Sequence, residues 1–127
     1  MNGYSFKMLF WLSGANSSVK ARHLLQVGGY DEVFDLNWGD EDADLGYRLE
    51  KIGLRLIPIY NAIIYHQWHP TSMSGTPGHN RVLLILKHPE LLKARLLMRR
   101  ANPYYGKSIE ELRGLLGHVS ETTKNYY

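Results

Sequence analysis

Trp38-Gly39-Asp40-Glu41-Asp42-Ala43-Asp44-Leu45-Gly46-Tyr47-Arg48-Leu49 places four carboxylates within five positions, directly after Trp-Gly and directly before an amphipathic run. A merely solvated acidic stretch needs neither the aromatic before it nor the apolar stripe after it. The spacing predicts a helix over residues 40–52, with Asp40 as N-cap, acids in the first turn where the helix dipole favours them, and Gly53 as the stop. At about 100° per residue, Leu45, Leu49 and Ile52 form one stripe. Glu41 and Asp42 fall within about 60° of its centre, and Asp40 and Asp44 lie more than about 100° away. On this reading Asp40 caps, Asp44 faces solvent, and Glu41 and Asp42 look into a cleft. Two uses compete. All four acids can simply serve the helix N-terminus. Alternatively, Asp42 is a general base, which must be ionised and must touch the proton it takes. Glu41 then accepts hydrogen bonds from a polyol, and Trp38 offers a flat face to a sugar ring. Trp38 can equally be an ordinary core aromatic.

Outward from this segment, strand-like and helix-like patterns alternate. Residues 4–12 are rich in aromatic and large apolar side chains and read as a strand. Residues 13–18 are small and polar, a loop. Residues 19–27 read as a short helix stopped by Gly28-Gly29, and residues 30–37 as a loop anchored by Phe34. Residues 54–60 and 62–66 are β-rich runs joined near Pro58 and Asn61, followed by a turn-rich loop over 70–78. Residues 79–98 are helical in pattern with an interruption before Pro89. Residues 108–119 form a last helix, with Ser108 and Glu111 in capping-box spacing. The alternation predicts the α/β class. Residues 1–75 read as a catalytic half-domain and residues 76–127 as a helical extension. Three or four strands are too few for a complete doubly wound sheet covered on both faces.

Composition narrows the field. A chain of 127 residues with 44% hydrophobic and 21% charged residues is an ordinary small globular domain. A net charge of +3 is mildly basic, not the asymmetry of a dedicated nucleic-acid binder. Lys87, Lys93, Arg95, Arg99 and Arg100 cluster in one stretch, which reads as a solvated helix face. Contact with acidic lipid or a phosphate-bearing ligand is the minority reading. Cysteine is absent, which removes disulfides, a thiolate nucleophile and cysteine metal sites, and fits a reducing compartment. No apolar run is long enough to span a bilayer and no signal-peptide pattern opens the chain. The expected location is the cytoplasm, at most peripheral to a membrane.

Tyr65-His66-Gln67-Trp68-His69-Pro70 follows a β-rich run, where a neutral imidazole can reach a metal at a sheet edge. Alternation along a strand puts His66 and His69 on opposite faces, so one ligand is favoured over two. Both can equally be half-buried polar residues. His23, His79, His88 and His118 have no supporting context and read as surface residues.

Together these pieces resemble the C-terminal half of inverting glycosyltransferases of the GT-A fold, most closely family 2 enzymes and the galactosyltransferase C-terminal domain. Three blocks over about residues 9–70 carry the resemblance. They are Leu12-Ser13-Gly14-Ala15-Asn16-Ser17-Ser18-Val19 with Val27-Gly28-Gly29-Tyr30-Asp31-Glu32, then the Trp38–Leu49 segment, then residues 62–66 ending in His66. The resemblance implies that Asp42 is the catalytic base and that Trp38 and Glu41 belong to the acceptor site. It implies that Gly14 and Asn16 line the site, and that His66 binds the Mn2+ or Mg2+ held by a donor diphosphate. Tyr65-His66-Gln67 with Pro70 is similar to the motif of chondroitin-polymerase-like enzymes, which favours His66 over His69. The Asp-x-Asp spacing at 40–44 is not read as the family's metal motif, because it opens a helix instead of ending a buried strand. The implied partners are a nucleotide-sugar donor, a UDP-sugar of galactose or its N-acetylamine, and a glycan acceptor. The nucleotide-binding half is missing, so the chain reads as a fragment of a longer protein, inactive alone. Two other readings compete. One is a non-catalytic domain binding carbohydrate or protein through Trp38 and Trp68. The other, ranked last, is a small metal-dependent hydrolase using His66 and His69.

Overall fold

The computed structural model describes residues 12–70, 78–93 and 106–116. Regular structure there comprises α1 (Ala21–Val27), a 3-10 segment (Glu32–Phe34), α2 (Glu41–Lys51), α3 (His79–Lys87), a second 3-10 segment (Pro89–Lys93) and the last helix, α4 (Ile109–Leu115). α1 packs on α2, α2 on α3, and α3 on α4. No helix among the described residues is long and apolar enough to cross a membrane.

Local signals account for the helix ends. The amides of Gly28 (φ 81°) and Gly29 reach the carbonyls of Leu25 and Leu24, closing α1 in a left-handed turn that favours glycine. α3 ends at Lys87, because His88 must take an extended conformation before Pro89. α4 opens with the expected capping box. Ser108 Oγ accepts from the Glu111 amide, and the Glu111 carboxylate accepts from the Ser108 amide.

α2 carries two apolar stripes where the spacing had suggested one. Leu45 and Leu49 pack with Leu12, Leu24, Val27, Leu54 and Leu56. Ala43 and Tyr47 pack with Phe34, Leu83, Leu84 and Leu91. Ile52, expected in the first stripe, is instead exposed at the helix C-cap. α3 is apolar almost all round, and its Val82, Ile85 and Leu86 meet Leu112 of α4. The cluster around Phe34 and Leu83 joins residues from both sides of position 75 in one core.

Among the described residues there is no strand. Residues 54–60 and 62–66 carry no ladder, and a turn closes between the Ala62 amide and the Ile59 carbonyl at 3.0 Å. A β-branched run becomes a strand only when another backbone pairs its amides and carbonyls. The strand expected over 4–12 lies outside the described residues except for Leu12. So do most of the 70–78 loop, the helix continuations over 94–98 and 117–119, and Arg95, Arg99, Arg100 and His118. Ile57, Ile59, Tyr60, Ile63, Ile64 and Tyr65 all stand exposed.

Candidate active site

The site forms at the mouth of α2. Gly39 (φ 87°) and Asp40 (φ 69°) are both left-handed, which turns the chain sharply into the helix. An aspartate tolerates this conformation better than most side chains, though at a cost. α3 holds the turn in place. Asn80 Nδ2 lies within hydrogen-bonding distance of the carbonyls of Phe34, Asn37 and Gly39, at 2.9, 2.8 and 2.7 Å. Arg81 grips the Asp40 carboxylate with Nε and Nη2 at 2.7–3.0 Å. Asp40 therefore stands at the N-cap position, but its side chain makes no capping bond, because Arg81 engages it. Neither Asn80 nor Arg81 was marked by the sequence, since their partners lie about forty positions away.

The turn leaves Trp38 70% exposed, a free aromatic face and not a core residue. Glu41 and Asp42 are half-buried. Asp42 Oδ1 accepts from the Ala43 amide at 2.8 Å, and Oδ2 accepts from the Gly14 amide at 3.2 Å. Asn16 Nδ2 donates to the Ala62 carbonyl at 2.9 Å. The 13–16 loop thus touches both the acidic helix mouth and the segment leading to His66. No hydrogen bond among the described residues engages the Glu41 carboxylate. His66 and His69 are exposed, with ring centres 5.1 Å apart. The opposite-face expectation for them fails because residues 66–69 are not in a strand. No group of three or more metal-ligating side chains gathers among the described residues.

Asp44 does not face solvent. It is 0% exposed, lying between the two stripes of α2. Its carboxylate takes hydrogen bonds from Arg48 Nε at 2.7 Å, Lys87 Nζ at 2.9 Å and the 5%-exposed ring of His88 at 2.7 Å. Lys87 also pairs with Asp31, and Arg48 Nη1 donates to the Val27 carbonyl. Burial pushes the Asp44 carboxyl up. The bonds from His88 and Lys87 and the charges of Lys87 and Arg48 outweigh it and hold the group below the usual carboxylate value. Asp31 follows the same pattern: burial raises it, and Lys87 with the Val33 amide brings it lower. This network joins α1, the first 3-10 segment, α2 and α3 behind the site. It also corrects the surface reading of His88 and of Lys87. His79 is half-buried too, and burial lowers its pKa.

Residues 10–70, just under half of the chain, match the family model described as the N-terminal domain of galactosyltransferase. This is a glycosyltransferase-like segment. The chain is 36% identical over 72 residues to an uncharacterized glycosyltransferase of Bacillus subtilis, a match covering 57% of this chain and 18% of that protein. It is 37% identical over 66 residues to chondroitin synthase of Escherichia coli, covering 52% of this chain and 10% of the relative. Validoxylamine A glucosyltransferase of Streptomyces hygroscopicus is 46% identical over 44 residues, covering 35% of this chain and 10% of that enzyme. The chain thus spans less than a fifth of the length of these relatives. No solved structure gives a significant match. The glycosyltransferase-like segment contains all three blocks that first suggested the relationship. The family description names an N-terminal domain, whereas the sequence blocks had suggested a C-terminal half.

Proposed function

We propose that this chain supplies the acceptor-side half of an inverting glycosyltransferase of the α/β GT-A type. The observation that carries the reading is the contact of Asp42 with the 13–16 loop, at the helix mouth where Trp38 and Glu41 also stand, inside the region related to glycosyltransferases. An acceptor sugar stacks on Trp38, and its hydroxyls are held by Glu41. Asp42 takes the proton from one acceptor hydroxyl as that oxygen attacks the anomeric carbon of the donor. The new bond forms on the face opposite the departing nucleoside diphosphate, so the configuration inverts. The donor in this proposal is a UDP-sugar, of galactose or its N-acetylamine.

His66 is the residue that would hold a divalent ion. Its imidazole would be one nitrogen ligand to Mn2+ or Mg2+, both of which favour oxygen and would take the rest of their ligands from phosphate or water. When bound, such an ion would offset negative charge on the leaving diphosphate. The apolar 54–65 run, which pairs with no other strand among the described residues, supports a nucleotide-binding half lying outside this chain, against which it would pair as a sheet. That half supplies the donor site, so the chain alone does not turn over.

The test is Asp42→Asn in a protein that joins this chain to a nucleotide-binding half. Transfer falls by at least a thousandfold while donor affinity stays within threefold. Full turnover by the variant removes the base role. A second reading, a non-catalytic carbohydrate binder, draws on the exposure of both Trp38 and Trp68. Calorimetry separates the two, because a pure binder takes free glycan and ignores UDP-sugar with Mn2+ in the joined protein.

A further inference from the structure

We propose that His66 and His69 act together, as a two-imidazole site for one divalent transition-metal ion. The proposal rests on the glycosyltransferase reading, in which the ion is the one that meets the donor diphosphate, and it names His69 as a ligand beside His66. Three observations converge. The ring centres lie 5.1 Å apart with planes at 66°. With metal–nitrogen bonds of about 2.0–2.1 Å and ligand angles near 90–110°, two imidazoles on one ion have ring centres about 4.5–5.2 Å apart. The observed spacing falls within that range.

The second observation fixes a tautomer. His69 Nδ1 lies 3.0 Å from the Pro70 carbonyl oxygen. A carbonyl only accepts, so Nδ1 is the donor, and in the neutral ring Nε2 is then the nitrogen with the free lone pair. A ring N–H held by a backbone carbonyl is the usual outer support of a metal-ligating histidine. The third is access. Both rings are exposed, and no hydrogen bond among the described residues engages His66. Two imidazoles leave most of the coordination sphere open for phosphate oxygens or water. They also favour ions that suit imidazole nitrogen, such as Zn2+, over Mg2+.

The experiment uses the full chain, labelled with 15N, and follows its histidine ring signals. In the metal-free chain, His69 shows a protonated Nδ1 and an unprotonated Nε2; the reverse tautomer overturns the proposal. On adding MnCl2 well below one equivalent, the His66 and His69 ring signals broaden together, before those of His23 and His79. Broadening of His66 without His69, or of neither, also overturns it. Calorimetry with ZnCl2 gives a second readout. His66→Ala and His69→Ala each weaken binding at least tenfold, and the double variant is little worse than either, since one lost ligand already breaks the chelate. A His69→Ala chain that binds Zn2+ within twofold of wild type contradicts the proposal. Asp42→Asn, assayed for transfer in the joined protein, fails or succeeds separately. A chain that chelates metal but transfers no sugar when joined loses the enzyme reading and keeps the site. One that transfers sugar with a silent His69 loses only the pair.

Discussion

Asp42 and Asp44 stand two positions apart on α2 and serve opposite ends. Asp42 is half-buried at the helix mouth, on the Gly14 amide. Asp44 is sealed among Arg48, Lys87 and His88. Asp44→Ala leaves the Arg48 and Lys87 cations facing an empty position and is expected to cost about 3–5 kcal/mol in urea unfolding. Asp42→Asn keeps an acceptor for the Gly14 amide and should cost less than about 1 kcal/mol. The acid range follows from the same network. Asp44 and Asp31 are held below their ordinary values, so the folded chain binds fewer protons than the unfolded one in that range. Their stabilisation is present above the ordinary carboxylate pKa of about 4 and is lost as pH falls through the lower folded values. Thermal unfolding should therefore drop steeply below about pH 4–5 in the wild type and less steeply in Asp44→Asn. The grouping of Trp38, Glu41 and Asp42 at the helix mouth was visible in the sequence, because their arrangement is local. The burial of Asp44 was not, because it depends on a second apolar stripe whose partners lie on α3.

At the scale of elements, caps and stops read correctly from the chain because each involves neighbours within a few residues. Gly28, Gly53, Pro89 and the Ser108/Glu111 box all act where expected. Ser108→Ala should cost about 1 kcal/mol of stability, with the loss confined to hydrogen exchange and helicity at α4. The turn into α2 is different in kind. Its left-handed Asp40 persists because Asn80 and Arg81 of α3 hold it. Asn80→Leu removes the two N–H donors shared among three carbonyls and should destabilise by about 1–3 kcal/mol. In the joined enzyme it should also raise the acceptor KM, since Trp38 and Glu41 flank the loosened turn. The strand expectations over 54–60 and 62–66 depended on partners that no local pattern contains. Their side chains read as strand, and no described backbone pairs with them.

For the described residues as a whole, the helices pack around three apolar clusters, whereas the 57–65 run stands bare. Ile57, Ile59, Tyr60, Ile63, Ile64 and the 97%-exposed Tyr65 make a run of apolar side chains that a self-sufficient domain seldom leaves in water. The chain alone should therefore bind a hydrophobic dye while retaining its folded signal, and Ile57→Thr with Ile59→Thr should reduce that binding by at least half. A wild-type chain that ignores the dye would show that this face is covered. Such a face fits the proposed division, with an acceptor half here and a donor half elsewhere. The most direct test of the account is transfer from a UDP-sugar to a glycan hydroxyl. The protein is this chain joined to a nucleotide-binding half, measured with Mn2+ for wild type and Asp42→Asn. An inverted product is expected from the wild type, with loss of at least a thousandfold in the variant. A product of retained configuration, or equal turnover by both proteins, would contradict it.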